Sequence, residues 1–464
     1  MSFQDELESR LGDIWRLAYE KYDKYLDTMG FIRDPNGGVT YNPAYYDPNE
    51  LTPGTTGSSF GHRVVGDVDA ETAKLQAFTA DLLELLEKFR SYLYLDPTVD
   101  LTQRVSWLGI ERGEPPSVGQ PGARTVLQLL RYADVTWMHP VLDLVEDGDW
   151  RGDAASAFTE NYLLPFRLAV ERHRACTTLI TVAVQAFHDM AIKAQRDILT
   201  IADHCILRLG DMTVPEELSV FDNIVLDALG LVTGIGTVLD LVQLGRDIHS
   251  AFAGGNGEQR APVRILVARG SAPEIIQSTW DALVALDQRM ADQDSVMVGG
   301  LAADMESTDA LAHPGLRLPR PAVADSPDGF SELAIDDAPG VPLTESPVVT
   351  AIVELYQAGF VNLPSAAFCY QEATAKLEQV RLPSWVHQML PLTAPVFEEA
   401  RLTLKQVFQD TARDLADIGE NMVTAATSYQ LADEANAEAL RRIGEIEPPT
   451  LDRVRPGPGE TVPV

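Results

Sequence analysis

The longest regular feature of the sequence is a helical apolar pattern that runs from about Asp153 to Arg208. Its apolar or buried-type residues recur every three or four positions: Phe158, Tyr162, Phe166, Ala169, His173, Cys176, Ile180, Ala183, Phe187, Ala191, Ala194, Ile198, Ile201 and Cys205. At 1.5 Å per residue such a helix is about 80 Å long. Pro165 is expected to kink or divide it near its start. Because a helix of this length needs antiparallel neighbours to cover its stripe, the pattern predicts an all-α fold, an elongated bundle of long helices.

The same three-or-four spacing occurs elsewhere along the chain, and no run of alternating residues typical of strands accompanies it. Helices are predicted over about 4–28, 70–95, 123–145, 273–298 and in a C-terminal unit at about 348–444 that ends in a long helix from about Pro395. In the first of these, the spacing places Leu11, Trp15, Ala18, Tyr22 and Tyr25 on one face. The stretches 30–66 and 96–122, rich in glycine and proline, are expected to be loops.

Composition shifts divide the chain into units. Residues 1–300 are expected to form the elongated helical bundle, with a helical hairpin at about 122–208 and a glycine-rich apolar hairpin at about 221–252. Seven prolines between residues 314 and 347 mark 301–347 as a linker or exposed excursion. Residues 348–445 are predicted to form a C-terminal helical hairpin that docks on the bundle, and 446–464 a disordered tail.

The charge balance excludes some classes of partner. The chain has 464 residues, 36 lysines and arginines against 69 aspartates and glutamates, and a formal net charge of −33. Phosphate binding needs a basic field, so nucleic acid and anionic lipid are not expected as main partners. A 45% apolar content is ordinary for globular proteins and supplies a sizeable core.

Targeting signals of the usual kind are not found. The acidic, amphipathic N-terminus does not resemble a Sec signal peptide. The longest apolar stretch, Ala228–Leu239, is about a dozen residues, whereas a bilayer span takes about 20. Three scattered cysteines do not make a disulfide framework.

No catalytic signature is found in the structural context that it requires, and a non-enzymatic protein is predicted. The sequence contains no H-E-x-x-H, no paired C-x-x-C and no G-x-x-x-x-G-K-[ST]. Gly57-Ser58-Ser59-Phe60-Gly61 fits G-x-S-x-G, but it lies in the predicted loop 30–66 and not at a strand-to-helix turn. His173, Cys176 and Cys205 lie on the apolar stripe, where a satisfied core histidine and buried thiols are expected rather than a metal site. We therefore expect no metal and no cofactor.

The apolar hairpin at 221–252 contains Gly230, Gly234 and Gly236. Small residues four apart let helices approach closely. The hairpin is expected to pack within the bundle. Self-association through it, or insertion into a membrane, is the alternative.

Two short motifs stand out in their context. Trp150-Arg151-Gly152 lies between two long amphipathic helices, inside the phrase GDWRGDAASAF. Gly152 allows a sharp turn, and an indole at the corner can fill a partner's pocket. On the last helix, Tyr429 and Asp433 in the phrase SYQLADEANAEAL are four apart and share a face.

Together these motifs resemble the WXG/ESX family of type VII secretion substrates of actinobacteria and related bacteria. The resemblance implies helical hairpins, with Trp150 and Gly152 at a turn and with Tyr429 and Asp433 as the secretion signal. It also implies that a secretion ATPase reads both as one composite surface. This chain is several times longer than the family's single hairpins and carries both motifs itself, about 280 residues apart. In the C-terminal unit, Trp385 lies near the turn without the glycine.

The function predicted is a non-enzymatic type VII secretion substrate or secreted helical partner protein, secreted or held at the cell surface by a route other than Sec. The expected partners are the secretion ATPase or a small WXG-type protein, with a homo-oligomer as a further option. The alternative is a cytoplasmic helical scaffold or chaperone-like component. An enzyme whose site carries no recognised signature is a further alternative.

Overall fold

The structure is a computed structural model. It describes residues 2–43, 67–95, 99–109, 124–146, 153–211, 218–220, 263–265, 270–306, 311–325 and 353–432. Helices account for 85% of these residues, which confirms the prediction of an all-α fold. The W-x-G hairpin and the elongated bundle stay predictions.

The helices follow one another in this order: α1 Phe3–Thr28, α2 Val68–Arg90, α3 Val99–Leu108, α4 Val126–Tyr132, α5 His139–Glu146, α6 Asp153–Phe158, α7 Leu164–Leu209, α8 Ala272–Glu306, α9 Leu363–Gln379, α10 Ser384–Met389 and α11 Thr393–Ala432. Short 3-10 turns cover Leu93–Leu95, Pro314–Leu316 and Ala322–Ala324. The start of α1 follows from local chemistry. The Ser2 hydroxyl accepts from the Asp5 amide while the Asp5 carboxylate accepts from the Ser2 amide, which is a capping box.

Within the described ranges, three wider, π-helical turns interrupt the helices, and each ends two residues before a proline. The turns are Ala133–Met138, Thr159–Leu163 and Ala358–Asn362, ahead of Pro140, Pro165 and Pro364. In each case the residue before the proline donates its amide to the carbonyl five residues back. Because a proline ring inside an α-helix collides with the preceding turn, the wider turn lets the helix continue. The expected kink at Pro165 is therefore a π-helical turn within one helical run from 153 to 209.

Two pairs of three-residue strands accompany the helices. Strands β1 (Phe31–Arg33) and β2 (Val39–Tyr41) pair antiparallel, and so do β3 (Leu218–Val220) and β4 (Val263–Ile265). Three residues are too few to show an alternating pattern, so the sequence did not reveal them.

Helix α7 lies at the centre of the core. Helices α1, α3, α4, α8 and α11 all pack against it. Residues 177–187 are buried without interruption. The sequence predicted that neighbours cover a single stripe of this helix. Over residues 177–187 the helix is instead covered on all sides, as in the interior of a large core.

The C-terminal helices share that core. Helix α9 packs along α11, and it also contacts α3 and α4. Helix α11 contacts α7 and α8. One continuous apolar cluster includes buried residues from α1 through α11.

Some local predictions need correction. On α1 the buried face is formed by Phe3, Leu7, Leu11, Ile14, Ala18, Tyr22 and Leu26, whereas Trp15 and Tyr25 are exposed. Within the predicted loop 96–122, residues Val99–Leu108 form α3. Helix α8 extends to Glu306, and residues 311–325 lie on the core with Leu316 buried, although 301–347 was predicted as a linker or excursion. The hairpin at 221–252 and the tail at 446–464 lie outside the described residues.

Candidate recognition surfaces

Most residues that the sequence singled out lie outside the described part of the chain. This holds for Trp150 and Gly152, for the three hairpin glycines Gly230, Gly234 and Gly236, and for Asp433. Residue Tyr429 belongs to the backbone of α11, three residues before its end at Ala432.

The helices that flank the W-x-G motif are described. Helix α5 is described as far as Glu146 and α6 from Asp153, and the connection between them, residues 147–152, lies outside the described residues. Helix α4 packs against α7, and α5 packs against the π-helical turn Thr159–Leu163. The chain on the two sides of this connection therefore lies side by side.

A groove opens beside the first two turns of α7. Its volume is about 320 Å³. One wall is the α7 surface with Leu164, Pro165 and Leu168, and the other is the extended chain at Leu318 and Pro319. We call residues 311–325, which form this second wall, the strap. The groove is lined mainly by apolar side chains, so it suits an apolar ligand surface.

Both leucines of this groove are exposed. Leu164 is 46% exposed and Leu168 is 60% exposed, although neighbouring Phe166 is fully buried. The two leucines are four residues apart and share one face of α7. They follow the π-helical turn Thr159–Leu163 directly, and such turns occur frequently at functional sites.

Charged side chains border the groove: Glu160, Arg172 and Arg317. Arg172 donates to the Gly315 carbonyl at 3.3 Å. A Cβ at position 315 would overlap the Arg172 guanidinium, so a side chain there would displace Arg172 from this contact. The strap backbone therefore holds one of the two arginines at the groove.

His173 fastens the strap to α7 from below. Its Nε2 lies 2.8 Å from the Leu316 carbonyl oxygen, and its Nδ1 lies 2.9 Å from the Tyr370 hydroxyl. A carbonyl only accepts, so Nε2 carries the proton and Nδ1 of the neutral ring accepts from Tyr370. Burial lowers the pKa of His173 from 6.5 to about 4, against the raising effect of the Leu316 hydrogen bond. The ring is thus neutral near pH 7.

Arg320 fastens the other end of the strap to α11. Its guanidinium lies 2.5 Å from Asp414 and 2.8 Å from Asp417, and its Nε lies 2.7 Å from Asp325 within the strap. Hydrogen bonds to these carboxylates raise the pKa of Arg320. Asn421 of α11 also donates to the Val323 carbonyl at 2.9 Å. The strap therefore bridges α7 and α11 through side chains of both helices.

The sequence did not reveal this groove. The apolar stripe predicted for the helical run from 153 to 208 contains Tyr162, Phe166 and His173, and those residues are buried. The signal that could have located the groove is the pair Leu164 and Leu168. These two leucines lie off that stripe.

Reactive groups in the described residues are held in unreactive surroundings. Burial raises the pKa of Cys205 and Cys369 to about 12, so both thiols stay protonated. All three cysteines are buried and none forms a disulfide, which confirms the expected burial of Cys176 and Cys205. Within the described ranges, no three His, Cys, Asp or Glu side chains are grouped closely enough to hold a metal ion.

Helical residues Thr159–Leu209 are long and apolar enough to cross a membrane by length and composition. Of the apolar window that meets this criterion, 78% is buried inside the molecule. The core helix of a soluble protein meets the same criterion, so this finding is weak evidence for a span.

Comparison with known proteins adds no relative. No family model, no curated protein and no solved structure matches the chain. Any function must therefore be argued from the residues and geometry described above.

Proposed function

We propose that this chain is a non-enzymatic substrate, or secreted helical partner, of a type VII secretion system. In this proposal Trp150 and Gly152 form the turn motif, and Tyr429 and Asp433 form the signal on the last helix. The secretion ATPase or a small WXG-type protein reads them. The sequence motifs carry the proposal.

The helices around residues 147–152 support the turn motif. The described helices before and after residues 147–152 pack together, since α4 packs against α7 and α5 packs against the π-helical turn Thr159–Leu163. A W-x-G motif needs such paired helices, because its tryptophan lies at the corner between them. The observation that most favours the proposal is this packing of the helices that precede and follow the W-R-G tripeptide in the sequence.

The C-terminal helices support the second motif. Helix α11 is 40 residues long, and α9 packs along it. The described part of α11 reaches Ala432 and includes the backbone of Tyr429. A residue four positions after Tyr429 would lie on the same face if the helix continued by one residue.

The proposal is tested by export of single variants from a host with an intact type VII system. Asp433→Ala is expected to lower the fraction of protein in the culture filtrate while leaving the melting temperature nearly unchanged, because surface substitutions change stability by no more than about 0.5 kcal/mol. Trp150→Ala is expected to lower export as well, with a larger loss of stability.

The matched control is Glu420→Ala, which removes an exposed carboxylate from the same helix outside the motif. It should be exported like the wild type. If Asp433→Ala were exported as efficiently as Glu420→Ala, the Y-x-x-x-D interpretation would be wrong. Retention of every version in the cell lysate would favour the cytoplasmic scaffold.

A further inference from the structure

The groove between α7 and the strap has the form of a docking site for a helix. Leu164 and Leu168 project from successive turns of α7, and Leu318 and Pro319 face them from the strap. Apolar side chains spaced by one turn on a partner helix would fit between these two walls, which is the helix-in-groove mode of recognition.

The charges at the groove differ from those of the chain as a whole. The chain has almost twice as many acidic as basic residues, yet two arginines and one glutamate border the groove. Arg317 is exposed and forms no ion pair within the described residues, and Arg172 contacts a backbone carbonyl in that part of the structure. A partner that offers carboxylates at this end would find two guanidinium groups available.

The groove also has a direction. Glu160 and Arg172 are twelve residues apart on the same helical run, which corresponds to about 18 Å. The arginines therefore lie at one end and the glutamate at the other. An occupant with its acidic residues at the arginine end would be complementary, and the reverse orientation would place like charges together.

We propose that this groove binds an amphipathic, acidic α-helix of a partner protein, with its apolar side chains against Leu164 and Leu168 and its carboxylates against Arg172 and Arg317. The site is separate from the W-x-G and Y-x-x-x-D motifs. It does not depend on export of the chain.

Two fluorescein-labelled model peptides of about three helical turns test the proposal. One carries leucines at helical spacing with glutamates on the polar face, and its twin carries lysines in place of the glutamates. Fluorescence anisotropy with the full chain should show binding of the acidic peptide, and binding of the lysine twin should be at least about tenfold weaker. The preference should shrink as salt is raised.

Three variants locate the binding. Leu168→Asp should lower the affinity for the acidic peptide by about tenfold or more, because the burial of one leucine contributes about that factor to affinity. Arg317→Glu should weaken binding of the acidic peptide and strengthen binding of the lysine twin. Leu402→Asp is the control, since Leu402 is 48% exposed on α11, away from the groove residues, and this variant should bind like the wild type.

Several outcomes would overturn the proposal. These are no binding of the acidic peptide, equal binding of the twin, or unchanged binding to both Leu168→Asp and Arg317→Glu. Sedimentation of the wild type as a dimer that Leu168→Asp dissociates would assign the groove to a second copy instead. Circular dichroism checks that each variant is folded. Arg317 is an exposed residue of the strap, so Arg317→Glu still tests the proposal if Leu168→Asp does not fold.

Discussion

At the scale of single residues, a buried carboxylate joins two helices that are about a hundred residues apart. Asp294 of α8 accepts hydrogen bonds from the amides of Leu392 and Thr393, at 2.8 and 2.9 Å, and from the Thr393 hydroxyl at 2.6 Å. These amides lie at the start of α11, where a helix leaves its first donors without internal partners. Asp294 therefore caps α11 from another helix.

Removing this cap should lower stability strongly. Asp294→Ala leaves buried donors unpaired, and the free energy of unfolding is expected to fall by about 2 to 3 kcal/mol. Urea titration followed by far-UV circular dichroism measures it. Asp292→Ala, two residues away on α8, should change stability by less than about 0.5 kcal/mol. Equal effects of both substitutions would refute the capping role.

His173 should make stability depend on pH. Its pKa is lowered to about 4 in the folded chain, below its ordinary value of 6.5, so the unfolded chain takes up the proton first as the pH falls. Stability is thus retained above pH 6.5 and lost between pH 6.5 and 4. From pH 7.5 to 4.5 the loss from this group is about 2 to 3 kcal/mol.

His173→Gln isolates this contribution, because its amide can still donate to the Leu316 carbonyl but does not titrate. Its stability should fall less steeply than that of the wild type over the same pH interval. Parallel pH profiles from urea titrations of the two proteins would show that His173 is not buried in the neutral form.

Residue types and spacing predicted the burial of His173 and Cys176, because both lie on a long apolar stripe. They did not predict the partners of His173, since the strap and Tyr370 reach it from distant parts of the chain. The same limit applies to Asp294. A carboxylate that caps another helix looks like any polar residue on its own helix.

At the scale of helices, two glycines allow two chain segments to cross at short distance. Gly359, in the π-helical turn Ala358–Asn362, and Gly419 of α11 face each other. A Cβ on either residue would lie 2.8 Å from the carbonyl oxygen of the other. Only glycine fits on both sides of this crossing.

Alanine at either glycine should push the two helices apart. Gly359→Ala and Gly419→Ala are each expected to lower the free energy of unfolding by about 1 to 3 kcal/mol, and the double variant by less than the sum. Gly299→Ala is the control, because nothing lies within 4 Å of a Cβ there and α8 should gain up to about 1 kcal/mol. Thermal unfolding of the four variants measures these changes. Strict additivity, or no loss, would contradict the close crossing.

Helix positions were largely predictable, and the buried faces were less so. On α1, the spacing from Leu11 to Ala18 predicts Trp15 on the apolar face, but Ile14 is the buried neighbour. Ile14 and Trp15 follow Leu11 by three and four residues, so either fits the helical pattern. Which of the two is buried depends on the helices that pack against α1. The prolines of the strap predict an exposed excursion. Instead, buried Leu316, the hydrogen bond from His173 and the ion pairs of Arg320 attach the strap to the core.

At the scale of the whole molecule, one core includes residues from both sides of residue 300, where composition predicted the end of the bundle. Helices from both sides contact α7, and the strap bridges α7 and α11. The surface retains a groove with exposed leucines and two arginines. We infer that the chain is a helical recognition protein, and that its proposed export signal lies in segments attached to this core.

Export is the central functional claim, and one measurement tests it most directly. The wild-type chain is expressed in a host with a working type VII secretion ATPase and in the same host with that ATPase inactivated. Immunoblots of culture filtrate and lysate are normalised to a cytoplasmic marker. The account predicts that the chain is found in the filtrate of the first host and is retained in the lysate of the second. Equal amounts in both filtrates, or retention in both lysates, would contradict it.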